Sequence, residues 1–175
     1  DPVSIAKKIF TVVEREFYFG IEIFKKYRTL LGTDILRVIR DMYYQKQSLR
    51  EALGLSMIIK DLDFLTMAFK NDEFCHSTHY FDYVRLLMED LRSDDALAVL
   101  NSQRIDDEEI TDNIIWNELF IQALIEEGRK EEAKAHCITA FTFQCDTRFY
   151  HLYTKAAEKD VDHSPAFLKI AKDTG

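Results

Sequence analysis

The chain has 175 residues, 47% hydrophobic and 31% charged, with five Gly and two Pro. That length fits one folded domain with an adequate core, and the composition excludes a disordered, collagen-like or fibrous chain. The net charge of −8 is uneven: residues 1 to 60 carry eleven Lys/Arg against seven Asp/Glu, and residues 61 to 175 twelve against twenty-four. So acidic a C-terminal part repels phosphate backbones and argues against direct nucleic-acid binding.

Asp1 is placed to cap a first helix with Pro2 at its first position, where a missing N–H costs nothing. Ile5, Ile9, Val12, Val13 and Phe17 keep to one face of it. Gly20 interrupts the run, and residues 21 to 31 resume it as far as Gly32, suited to the left-handed position after a helix. Thr33 or Asp34 caps a helix carrying Ile35, Val38, Ile39 and Met42. Ser48 opens another through Leu49, Leu53 and Met57 to about Lys60. Residues 61 to 70 read as a short helix and 71 to 76 as a loop. Ser77 caps a helix with Tyr80, Val84, Leu87 and Leu91 at helical spacing. Ser93 caps its partner, with Asp94 and Asp95 at the positive end of the helix dipole. After the acid run Asp106 to Glu109, a helix from about Asp112 holds Ile115, Leu119, Leu124 and Ile125, and Gly128 closes it. The return helix from Glu131 holds Ala133, Cys137, Ala140 and Phe141, and a last pair spans about 146 to 159 and 164 to 172. The expectation is an all-α chain of about eleven helices with no sheet.

Residues 87 to 98 read L-M-E-D-L-R-S-D-D-A-L-A and residues 124 to 135 read L-I-E-E-G-R-K-E-E-A-K-A. This echo is the pattern of a repeated αα-hairpin. Ala96 and Ala133 are small enough for two helices to approach closely, and Arg92 and Arg129 are placed to meet the carbonyl end of the preceding helix. The expected architecture is a right-handed stack of antiparallel hairpins in one domain, with residues 1 to 60 an N-terminal helical subdomain and 61 to 175 the hairpin repeats. The turn E-E-G-R-K-E-E-A-K-A resembles the junction of tetratricopeptide repeats, although the period and the Trp/Gly/Tyr positions depart from that consensus. The segments D-P-V-S-I-A-K-K-I-F, F-K-K-Y-R-T-L-L-G and G-R-K-E-E-A-K-A-H-C-I-T-A-F, spread over nearly the whole chain, resemble a bacterial domain-of-unknown-function family of degenerate, tetratricopeptide-like α-solenoids. The resemblance implies a fold and no mechanism.

Three cysteines, Cys75, Cys137 and Cys145, form no disulfide framework and read as free thiols of a cytoplasmic protein. No stretch approaches the roughly 18 apolar residues of a membrane span, and no signal peptide is visible. The opening Asp1-Pro2 reads as a fragment of a longer chain. Cys75, His76 and His79 are the most metal-like group, but a structural zinc site wants a fourth ligand, and a polar loop entering a helix accounts for the same residues. Glu73 with His76 matches one arm of a di-iron site that needs the arm twice. Ser4 with Lys7 lacks the companion motifs of serine–lysine enzymes. His151 and His163 have no nucleophile at an interpretable spacing, and no phosphate loop, dinucleotide fingerprint or H-E-x-x-H occurs. The acid run 106 to 109 lacks the alternating ligands and glycine of a calcium loop. No enzyme activity and no cofactor are therefore expected.

The aromatic clusters Phe17-Tyr18-Phe19 and Tyr43-Tyr44 read as packing between two neighbours, or else as an exposed patch for a partner. The expected function is a non-catalytic protein–protein interaction scaffold. Its candidate contact residues are His79, Asp82 and Arg85 on one first helix and Trp116 on the next. The alternatives are a metal-binding or enzyme-accessory domain using Cys75, His76 and His79, and a structural arm for a missing domain.

Overall fold

A computed structural model describes residues 1–15, 20–71, 79–102, 113–157 and 163–174, and among these there are twelve helices and no strand. The chain divides into two compact units, Asp1–Leu86 and Leu87–Gly175. The anticipated subdivision after residue 60 coincides with a turn inside the first unit.

The first unit holds α1 (Pro2–Arg15), two short helices α2 (Glu22–Lys26) and α3 (Arg28–Leu31), then α4 (Thr33–Gln45), α5 (Leu49–Ile59) and α6 (Leu62–Lys70). Its core joins Ala6, Phe10 and Val13 of α1 to Phe24, Leu36, Ile39, Leu55 and Ile59. The buried face of α1 is thus shifted from the expected one: Ile5 and Val12 remain 46% and 60% exposed. Phe10 packs edge-on to Tyr43 at 4.7 Å, and Ala6, one helical turn away, is small enough to admit α4 beside that ring. Neither Thr33 nor Asp34 caps α4; Gly32 stands at its N-cap with φ 76° and no side-chain bond. Asp61 does cap α6, accepting from the Phe64 N–H at 3.2 Å. It also accepts from Arg37 and from the buried Arg40, whose guanidinium lies 4.2 Å from the centre of the Phe64 ring. Burial works to raise the Asp61 carboxyl, but the Phe64 N–H and the two guanidinium groups outweigh it and hold it below the ordinary range.

Helix α7 (Tyr80–Glu89) begins after the cap expected at Ser77, which lies outside the described residues. In the first unit its Tyr83 hydroxyl meets Thr66 Oγ1 at 3.0 Å. The second unit contains α8 (Ser93–Ser102), α9 (Ile114–Glu126), α10 (Lys130–Gln144), α11 (Thr147–Ala156) and α12 (Ser164–Thr174). Helix α9 packs on α8, α10 and α11, while α12 rests on α10. Asn113 is the N-cap of α9 and accepts from the Trp116 N–H at 3.0 Å. Phe167 of α12 sits within 4.8 to 5.3 Å of the rings of Phe141, Tyr150 and Tyr153.

Four turns share one hydrogen-bond pattern. The N–H groups of Ser48, Asp61, Arg92 and Arg129 each reach back five residues, to the carbonyls of Tyr43, Ser56, Leu87 and Leu124, at 2.9 to 3.0 Å. The residue before each donor, respectively Gln47, Lys60, Leu91 and Gly128, has φ between 55° and 73°. This is the Schellman closure, in which a left-handed residue returns two N–H groups to the last turn of the helix. Leu91, expected to continue the apolar face of α7, is instead such a turn residue and is 90% exposed. The echo is explained at the same stroke: Leu87 and Leu124 accept the closing bond, and Ala96 and Ala133 are fully buried at the seam. Arg92 and Arg129 also donate forward, to Asp95 and Glu132 at 2.7 and 2.8 Å.

Candidate functional site

Three of the four anticipated contact residues stand together at the start of α7. Arg85 donates to Asp82 Oδ1 at 3.0 Å, and His79 Nδ1 lies 4.0 Å from Asp82 Oδ2. The side chains of Asp82 and Arg85 are 55% and 47% exposed, whereas that of His79 is largely covered. The imidazole lies beside Gly54 in the middle of α5, where a Cβ would be in ordinary contact with His79 Nε2 at 3.4 Å but would collide with Cδ1 of Ile21, so the missing side chain makes room for Ile21. Burial lowers the His79 pKa, Asp82 raises it in part, and the Arg50 charge adds to the lowering. Cys75 and His76, the other members of the metal-like group, lie outside the described residues. Among the described residues, no three His, Cys, Asp or Glu side chains are grouped to hold a metal ion. Of the other cysteines, Cys137 is a buried free thiol pushed up to about 12 by burial, and Cys145 is exposed.

Trp116, the fourth anticipated residue, belongs to the second unit and is 5% exposed. Its indole N–H donates to the Leu100 carbonyl at 3.3 Å. The half-buried Phe120, one turn further along α9, stacks on it with ring centres 4.7 Å apart and planes 12° apart. His136 reaches across from α10, 4.9 Å from the Phe120 ring, and its Nε2 lies 2.8 Å from Oδ1 of the buried Asn117. Facing an amide oxygen, Nε2 is the donor of this pair, and burial lowers the His136 pKa below its ordinary value. The same hairpin leaves Ile115, Ile138 and Phe143 in solvent, Phe143 at 62% exposure.

Asn117 and Phe120 were not singled out from the sequence, and His136 was considered only as a distant addition to the metal-like group. Phe120 lies four residues after Trp116, a spacing that stacks rings on a helix; the approach of His136 depends on how α10 packs and has no local signal. No helix among the described residues is long and apolar enough to cross a membrane. Comparison with protein-family models, with curated proteins and with solved structures found no match.

Proposed function

We propose that the chain is a non-catalytic protein-interaction scaffold, a degenerate helical-repeat module of tetratricopeptide-like kind acting in the cytoplasm. The observation that carries this reading is the α9–α10 hairpin, whose hydrophobic side chains Ile115, Ile138 and Phe143 remain exposed. Exposed aliphatic and aromatic side chains on a rigid helical framework are what a partner surface desolvates. The stacked, half-buried Phe120 ring adds an aromatic contact of the kind that dominates such interfaces. The resemblance of the opening and terminal motifs to a bacterial helical-hairpin family supports the scaffold part of the reading. In the first unit, the exposed Asp82–Arg85 pair would supply orientation more than affinity.

A photoreactive residue placed at 138 or at 143 tests the proposal in cells. The expected result is the same discrete crosslinked protein from both positions, diminished about tenfold or more by Phe120→Ala, as for loss of an aromatic anchor. A probe at the exposed Lys155 on α11 serves as the control. Crosslinking no stronger from 138 and 143 than from 155 would remove this hairpin from consideration.

A further inference from the structure

A cleft of about 230 Å³ opens in the first unit between α1, α2, α4 and α5. Its apolar lining comes from Val13, Ile21, Phe24 and Leu55, and its polar lining from Glu14, Tyr43, Ser48 and Glu51. Ser48 and Glu51 form an S-x-x-E sequence at the start of α5, the pattern of a reciprocal capping box. Yet Ser48, the N-cap residue, makes no side-chain capping bond, and both residues line the cleft. Tyr43 lines it too, its ring anchored by the edge of Phe10. Burial lifts the Tyr43 hydroxyl above its ordinary range, and the charges of Glu51 and then Glu14 lift it further. The phenol therefore stays protonated in the negative potential of both carboxylates.

The margin of the cleft already displays the chemistry it selects. Lys46 places its ammonium 2.6 Å from both oxygens of Glu14 and 4.9 Å from the centre of the Phe10 ring. That cation satisfies Glu14, whereas among the described residues no cation pairs with Glu51, which lines the cleft beside its apolar floor. We propose that this cleft binds an aliphatic primary ammonium, with Glu51, Ser48 and Tyr43 receiving its charged head and Val13, Ile21, Phe24 and Leu55 covering its methylenes. One carboxylate and two hydroxyl oxygens offer acceptors to the three N–H donors of an alkylammonium. A space of this volume holds a short alkyl chain and no drug-sized ligand. The head group has two natural sources, a free alkylamine or the lysine side chain of another protein.

Amide chemical-shift titration of the isotope-labelled chain separates the cases. Pentylamine and 1,5-diaminopentane represent the free amine, Nα-acetyl-lysine N-methylamide the side chain, and 1-pentanol the same alkyl chain without charge. Saturable shifts at Tyr43, Ser48, Glu51 and Leu55 are expected with an amine and not with pentanol. Glu51→Gln should weaken binding about tenfold or more, the scale of one charge-assisted hydrogen bond. Ser48→Ala, which keeps the charge, should weaken it several-fold, and a dispersed spectrum shows that each variant folds. Stronger binding of the lysine amide than of pentylamine assigns the site to a partner's side chain, and the reverse order to a free amine. The proposal is overturned if none of the three amines saturates, if pentanol shifts the same amides equally, or if the folded Glu51→Gln protein binds as tightly as the parent.

Discussion

Leu91 and Gly128 occupy equivalent places in two turns of the second unit, thirty-seven positions apart in the sequence. Their backbones share a left-handed conformation, with φ of 59° and 73°. It costs an L-residue other than glycine roughly 1 kcal/mol or more, because Cβ crowds the following carbonyl. Leu91 recovers little of that by packing, since its side chain is almost wholly in solvent. Leu91→Gly should therefore stabilise the second unit by about 0.5–1 kcal/mol, the gain being reduced by the freer unfolded chain. Gly128→Ala should destabilise it by about 1 kcal/mol, and conformation alone must be the cause, because nothing lies within 4 Å of where the new Cβ would stand. Urea unfolding monitored through Trp116 reads both changes, and equal midpoints for parent and variants would contradict the argument. Gly128 was legible as a helix stop because glycine advertises that conformation. Leu91, Gln47 and Lys60 were not, because their conformation is imposed by the two helices each turn joins.

Helix α12 shows how much an element can depend on one side chain. Phe167 is its buried residue, enclosed by Phe141 of α10 and by Tyr150 and Tyr153 of α11, and Ser164 adds a hydroxyl contact to Tyr150 at 2.8 Å. Phe167→Ala should cost roughly 3 kcal/mol or more, and the loss should appear first as fast hydrogen exchange across α12. Protection of α12 that survives the substitution would mean the helix is held by something other than this ring. The existence of the helices was readable from spacing, but the face each buries was less so. In α1 the spacing favoured Ile5, Ile9, Val12 and Val13, whereas packing buries Ala6 and Phe10 together with Val13 and leaves Ile5 and Val12 exposed. The amine cleft was beyond reach for a related reason: its polar lining comes from three helices, and its one local signal, Ser48 with Glu51, reads as an ordinary capping box.

At the level of the whole molecule, the two units differ in charge and agree in their response to acid. Residues 1 to 86 carry thirteen Lys/Arg against twelve Asp/Glu, and residues 87 to 175 ten against nineteen. An acidic partner would be repelled by the second unit and met neutrally by the first. Each unit contains a histidine whose pKa is lowered in the native state, His79 in one and His136 in the other. In both, the native form binds fewer protons than the unfolded chain near pH 6. Their contribution is therefore complete above the unfolded value of about 6.5 and is lost as pH falls through the lower native value. Thermal unfolding should shift to lower temperature between about pH 7 and pH 5. Because Trp116, the only tryptophan, contacts His136, its fluorescence reports the second unit. His136→Gln should flatten that pH dependence, and an unchanged slope would assign it to other groups.

The left-handed turns also bear on how the chain could be remade. A backbone at φ near +60° with positive ψ is the mirror image of the right-handed helical conformation, so a D-amino acid adopts it as readily as an L-residue adopts a helix. The turn side chain at 91 points into solvent, and handedness is the only thing that makes leucine unfavourable there. A semisynthetic chain carrying D-leucine at this position would keep the side chain, remove the strain and avoid the added freedom of glycine. Mirror-image residues at such turns would also resist proteases that recognise only L-peptides, at surface positions where the fold does not depend on the side chain.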